Sequence, residues 1–187
     1  MEHTPEKKQA ESTKPVSELY QNVRTLATVL TVLILIFTFV VRIIVVSGPS
    51  MENTLFNGDA MVVWSLGYRP KQGDVVVLTQ PAYQEDSIVK RVVALGGQTV
   101  DIDYHTNTVR VDGVPLKEDY IKEWMRTPSY GDGTTHIVVP EGHLFVMGDN
   151  RNESADSRYP IIGTIDARLV IGRAILVAFP FDHLGTL

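Results

Sequence analysis

An unbroken apolar run close to the N-terminus constrains this chain more than anything else in it. Thr25 to Val46 reads TLATVLTVLILIFTFVVRIIVV, with Arg42 as its one charge. As a helix the run would extend roughly 33 Å, enough to cross a bilayer core with some tilt. It is too long, and too apolar on every face, for the core helix of a small domain. It also exceeds the roughly 7–15 apolar residues of a cleavable leader, and Pro49, after the small pair Ser47-Gly48, is a poor start for a mature chain. A retained transmembrane anchor over residues 23–46 is therefore expected, with its threonines bonded to the preceding turn and Arg42 snorkelling to the headgroups. Lys7, Lys8, Lys14 and Arg24 precede the apolar run from Thr25, and apart from Arg42 no cation follows before Arg69. The positive-inside rule then puts residues 1–22 in the cytoplasm and residues 47–187 outside. The polar first 22 residues, with Pro5 and Pro15, read as a disordered tail.

What remains of 187 residues suits one domain. Its pattern is short and β-like: Ala60–Trp64, Asp74–Thr79, Ser87–Leu95, Thr99–Tyr104, Thr108–Val111, His136–Val139, His143–Met147 and Leu169–Ala178 are rich in Val, Ile and aromatics. Asn57-Gly58, Gly96-Gly97, Asp112-Gly113, Gly131-Asp132-Gly133 and Glu141-Gly142 separate them as turns. The expected fold is mainly β, a single folded-sheet or barrel-like domain after one N-terminal transmembrane helix. Lys and Arg number 17 against 22 Asp and Glu, with no basic stripe to meet phosphates, so a nucleic-acid partner is not expected. Cysteine is absent, which removes disulfides, thiolate catalysis and Cys-ligated metals.

The chemistry has few places to sit. None of the five histidines has a metal-ligand spacing, and each reads as an ordinary surface or turn residue, although a triad of distant members stays open. Three other segments differ. Ser47-Gly48-Pro49-Ser50-Met51-Glu52-Asn53-Thr54-Leu55 follows the membrane exit at once, and Gly48-Pro49 impose a specific backbone before the Ser50 hydroxyl. A plain linker would also use such small residues. Ser87 to Leu95, SIVKRVVAL, places Lys90 on the strand face of Ile88 and Val92, and Arg91 on the other. Alternation leaves open which of the two points inward, but only lysine can lose its proton and act as a base. Gly148 to Arg158, GDNRNESADSR, is a polar loop whose two Asp and two Arg can lock it through ion pairs; a solvated turn has the same composition.

These segments, in this order, resemble the bacterial type I signal peptidases, in the compact form without a second β-domain. The match is carried by SGPSMENTL, GDAMVVW, GDVVVL, KRVVALGG and GDNRNESADSRYPIIGTI, from about Val46 to Phe179. The resemblance implies a serine endopeptidase with Ser50 as nucleophile and Lys90 as general base. Ser154 would orient Lys90, while Asp149, Arg151, Asp156 and Arg158 would brace the site. It implies no cofactor and no metal. The partners would be preprotein signal peptides, cleaved after small residues at −1 and −3, together with membrane lipid, and there is room for export machinery. Two positions depart from the family pattern: Asn53 replaces a usual proline, and Gly48 replaces a serine that in some members donates to the oxyanion. The expected oxyanion hole is therefore the Ser50 backbone N–H with one further backbone group, Gly48 allowing close approach, while the Ser47 hydroxyl is the competing donor, disfavoured because strand alternation turns adjacent side chains to opposite faces. Ser50 stands four residues beyond the expected anchor, at most roughly 14 Å along an extended chain, at the depth where a leader's cleavage site emerges. Other readings are a self-cleaving repressor, which would need a DNA-binding head where this chain has an anchor, and a catalytically silent membrane-tethered β-domain that binds exported chains.

Overall fold

A computed structural model of the chain describes residues 14–80, 84–126 and 136–187. The described residues divide into two compact units, one up to Val40 and one from Val41 to Leu187. The first is a helix, α1 (Lys14–Phe39). Within it Ser17–Phe39, 23 residues, is long and apolar enough to cross a membrane. Leu26, Leu30, Ile34 and Phe37 are all exposed, as they are around the whole circumference, which suits a helix whose solvent is not water. The Thr28 and Thr31 hydroxyls donate to the Arg24 and Ala27 carbonyls at 2.9 and 2.8 Å, the expected back-bonding.

The bounds of the apolar run need correcting at both ends. Residues 14–22 are helical, whereas they were expected to be part of a disordered tail; residues 1–13 of that tail lie outside the described residues. The helix also stops at Phe39, short of Val46. Val41–Val45 instead form strand β1, with Arg42 opposite Val63 rather than at the end of a membrane helix. Six of the seven residues from Val40 to Val46 are β-branched, stiff at χ1 and better fitted to a pleated surface than to a helix turn.

The second unit is mainly β, as expected. Its strands are β1, β2 (Ala60–Trp64), β3 (Val75–Gln80), β4 (Gln84–Leu95), β5 (Thr99–Asp103), β6 (Thr108–Val111), β7 (Val114–Pro115), β8 (His136–Val138), β9 (His143–Met147), β10 (Ile165–Asp166), β11 (Val170–Phe179) and β12 (Gly185–Thr186). Seven of them form an antiparallel sheet in the order β1-β2-β11-β3-β4-β9-β10, with β12 attached to β11. A smaller sheet runs β7-β6-β5-β8. Bulges in β11 and β4 bend the large sheet into a curled form. All eight strands expected from the sequence are present; β1 and the two-residue β7, β10 and β12 are additional. The Gly131-Asp132-Gly133 turn lies outside the described residues.

Three apolar clusters hold the unit together. One joins the small sheet to β4 and β9 through Val100, Val109, Val93 and Phe145. A second lies on one face of β2, β3 and β11 and includes Met51 and Leu55. A third covers the opposite face, with Val76, Leu78, Val92, Val146 and Ile162. Two of the strand edges left unpaired among the described residues matter below: β1 pairs there with β2 alone, and β4 meets β9 only from Arg91 onward, leaving the outer edge of Ser87–Lys90 free.

Candidate active site

Ser50 enters the site because its neighbours are buried. Met51 and Leu55, 1% and 0% exposed, sink into the second cluster and fix the turns from Pro49 to Leu55. Asn150 clamps the same backbone from the other side: its N–H donates to the Ser50 carbonyl at 3.1 Å and its Nδ2 to the Pro49 carbonyl at 3.0 Å. Between these supports the Ser50 hydroxyl stands half-exposed in a cleft of about 470 Å³. Ile44 to Met51 line one side, Ser87 to Lys90 the other, and Glu153 and Ala155 close it.

Lys90 answers the question that alternation left open. Opposite Val76 on β3, it is 3% exposed and points inward, while Arg91 turns to the other face. Lys90 Nζ lies 2.8 Å from Ser50 Oγ and donates a second bond to the Val89 carbonyl at 2.9 Å. Burial pushes the ammonium down, Asp156 and Asp149 pull it back up, and Arg158 adds to the depression; the result is a pKa of about 8. Near neutral pH an accessible fraction of Lys90 is thus an uncharged amine beside a hydroxyl. Among the described residues no histidine lines the cleft: His136 pairs with Asp101, His183 with Asp59, and His143 faces the Glu141 carbonyl.

Asp149, Arg151, Asp156 and Arg158 of the 148–158 loop are all buried, so it is not a solvated turn. Asp156 takes Arg158 in a two-pronged pair, 2.8 and 2.9 Å, and accepts the Gly148 N–H at 3.0 Å. Burial alone would raise its carboxyl, but the Arg158 charge and these hydrogen bonds outweigh that and hold it below the ordinary range. The other two members pair outside the loop. Asp149 binds Arg91 Nε and an Arg91 terminal nitrogen at 2.9 and 2.7 Å, and also accepts from Thr54. Arg151, 1% exposed, reaches both Glu118 oxygens and the Gly148 carbonyl.

Ser154 is 3% exposed, but the structure does not bring it into hydrogen bonding with Lys90. Its Oγ has no hydrogen-bond partner among the described residues; it stands close enough to Asp156 to favour the ionised carboxylate without reaching bonding geometry. Gly148 makes this crowding feasible. A Cβ there would stand 2.3 Å from Ser154 Oγ and 2.4 Å from the Ser50 carbonyl oxygen, closer than atoms can pack. Gly48 has φ +92°, open space around it, and an N–H already given to Asn57 Oδ1 at 3.0 Å. That N–H is therefore engaged, whereas the Ser50 N–H donates to no described residue.

Five supporting residues went unassigned in the sequence reading. Arg91, Asn150 and Gly148 lie inside the quoted motifs, and their polarity or smallness was the available signal. Thr54 also lies inside a quoted motif and is polar; Glu118 carried no signal. Glu118 belongs to an irregular strap, residues 117–126, that crosses both the Ser50 turn and the 148–152 loop. Tyr120 stacks under Arg91 at 4.0 Å, its carbonyl accepts from Asn53 Nδ2, and Lys122 bonds Glu52 and the Asp149 carbonyl. The turn at Asn53 indeed differs from one built on proline, since its φ is +91°, which a proline ring cannot adopt.

With this geometry in place, the comparisons align. The family model described as signal peptidase, peptidase S26, matches residues 19–179. A probable signal peptidase I-1 of Synechocystis sp. is 34% identical over 92% of this chain and 89% of its own. Signal peptidase I of Bacillus licheniformis is 31% identical over 92% and 95%. A solved signal peptidase I from Enterococcus faecalis V583 is 30% identical, with a TM-score of 0.47 over 57% of this chain and 97% of that one.

Proposed function

This chain belongs to the signal peptidase family, peptidase S26, and from that premise we propose that it removes signal peptides from exported preproteins with Ser50 as nucleophile and Lys90 as general base. The protease class follows from the family; the dyad rests on one observation, the 2.8 Å contact between Lys90 Nζ and Ser50 Oγ in a site that keeps the amine partly uncharged. In its neutral form Lys90 reverses that hydrogen bond and accepts the Ser50 proton as Oγ attacks the carbonyl of the −1 residue. The protonated amine then delivers its proton to the departing amide nitrogen, and a water deprotonated by the same lysine hydrolyses the acyl-enzyme. The Ser50 N–H is a free donor for the oxyanion; the Gly48 N–H would have to leave Asn57 to be the second.

Asp149, Arg151, Asp156 and Arg158 act as braces in this reading, the first by fixing Arg91 one residue from Lys90, the third and fourth by holding the loop that carries Ser154. The unsatisfied Ser154 hydroxyl is available to Lys90 once the amine changes protonation state. The substrate lies extended between the free edges of β1 and β4, a β-addition mode. Helix α1, as a retained anchor with its N-terminus in the cytoplasm, would hold the site at the outer face of the membrane, with lipid as the standing partner.

The test is cleavage of a preprotein bearing an Ala-x-Ala junction by the detergent-solubilised chain. Ser50→Ala and Lys90→Ala should each abolish product while preserving tryptophan emission, and kcat/KM of the unaltered enzyme should climb with pH through about 8. Near-normal turnover by either variant, or a profile governed by a group near 6.5, defeats the dyad.

A further inference from the structure

A second cavity, of about 340 Å³, adjoins the cleft, and Glu153 and Ala155 line both. Its other walls are Asn152, Ser154, Tyr159, Ile161 and Ile162. Two features set it apart from an incidental surface dip. The turns at Tyr159 and Ile162 stand two isoleucines together, Ile162 4% exposed at the base and Ile161 69% exposed at the rim. Glu153 is exposed and forms no ion pair with a described residue; Lys122, whose charge it feels, is bonded to Glu52.

Its position relative to the nucleophile follows from Gly148. Ser154 Oγ and the Ser50 carbonyl oxygen both lie within 2.4 Å of the point where a Gly148 Cβ would stand, so this cavity begins beside the Ser50 backbone. The first cleft runs from Ser50 and Lys90 back along Ile44–Val46 and Ser87–Val89. A peptide whose leader side occupies that cleft continues, beyond the attacked carbonyl, toward the Glu153–Ala155 wall.

We propose that the second cavity receives the first two residues of the mature chain, Ile161 and Ile162 favouring an apolar side chain and Glu153 disfavouring an acidic one. This rests on the reading of Ser50 as nucleophile. Binding there is released with the leaving amine, so the cavity selects among substrates without retaining the acylated half.

The experiment uses the full chain in detergent and one preprotein altered only at +1 and +2 to Leu, Ser, Lys or Asp. The unaltered enzyme should prefer Lys to Asp by roughly two- to fivefold in kcat/KM, the scale of an exposed charge pair. Glu153→Gln should flatten that ratio and Glu153→Arg should invert it. Ile161→Ser should remove the preference for Leu over Ser. An unchanged Lys/Asp ratio in both Glu153 variants, or one that responds only to charges at −2, overturns the assignment while leaving Ser50 chemistry intact. Absence of cleavage by the unaltered enzyme removes the nucleophile reading and this inference together.

Discussion

Lys90→Met is expected to make the protein inactive and, at neutral pH, more stable. Holding a buried lysine near 8 when the free side chain sits at 10.5 costs the folded state roughly 3 kcal/mol wherever the amine is protonated in both states. Against that, methionine forfeits the bonds from Nζ to Ser50 Oγ and the Val89 carbonyl, about 1 kcal/mol each. The net expectation at pH 6.5 is a gain of about 1–2 kcal/mol. The sign then reverses with pH. Between about 8 and 10.5 the native state has released the Lys90 proton while the unfolded chain still binds it, so the native enzyme becomes more stable as pH rises. Lys90→Met has no such rise, and by pH 10 its advantage should vanish or turn into a deficit. Urea unfolding followed by the emission of Trp64 and Trp124, both in the β unit, reads the difference at each pH; groups common to the two proteins cancel. A stability difference that stays constant from pH 6.5 to 10, or a variant less stable at pH 6.5, would refute the claim that burial sets the state of this lysine.

Two further substitutions probe the supports. Asn53→Pro should lower stability by at least about 2 kcal/mol in thermal unfolding, because the ring forbids φ +91° and the bond to the Tyr120 carbonyl is lost, whereas Asn53→Gly should stay within about 1 kcal/mol. Glu118→Ala leaves Arg151 buried and uncompensated; denaturant titration should report a loss of about 3–5 kcal/mol, with cleavage failing in parallel.

Much of this architecture is legible in the sequence because its signals are local. Alternating Val and Ile runs bounded by Asn-Gly or Asp-Gly turns define eight strands, and three motifs carry Ser50, Lys90 and the buried loop. What is not legible is long-range or ambiguous. Helix and strand give the same apolar run, and only the β-branched bias after Phe39 marks the change that creates β1. Composition could not tell a buried 148–158 loop from a solvated one, since its burial depends on Glu118 and Arg91, 33 and 58 residues away from their partners. Residues 117–126 have no periodicity to read, because the strap is held by individual side-chain bonds rather than by a ladder.

The free edge of β1 and Ser50 belong to one stretch of backbone, Val41 to Ser50, with only the bend at Gly48-Pro49 between them. If the leader is read by pairing along that edge, the enzyme carries a ruler whose zero mark is its own serine. Side chains on a paired strand alternate, so residues −1 and −3 face the same wall and −2 faces away. A slip of one residue presents the wrong faces throughout, but a slip of two restores the pattern. Mistakes in choosing the cut site should therefore come in pairs of residues, and a preprotein with small residues at −1, −3 and −5 would be the one most often trimmed to uneven ends.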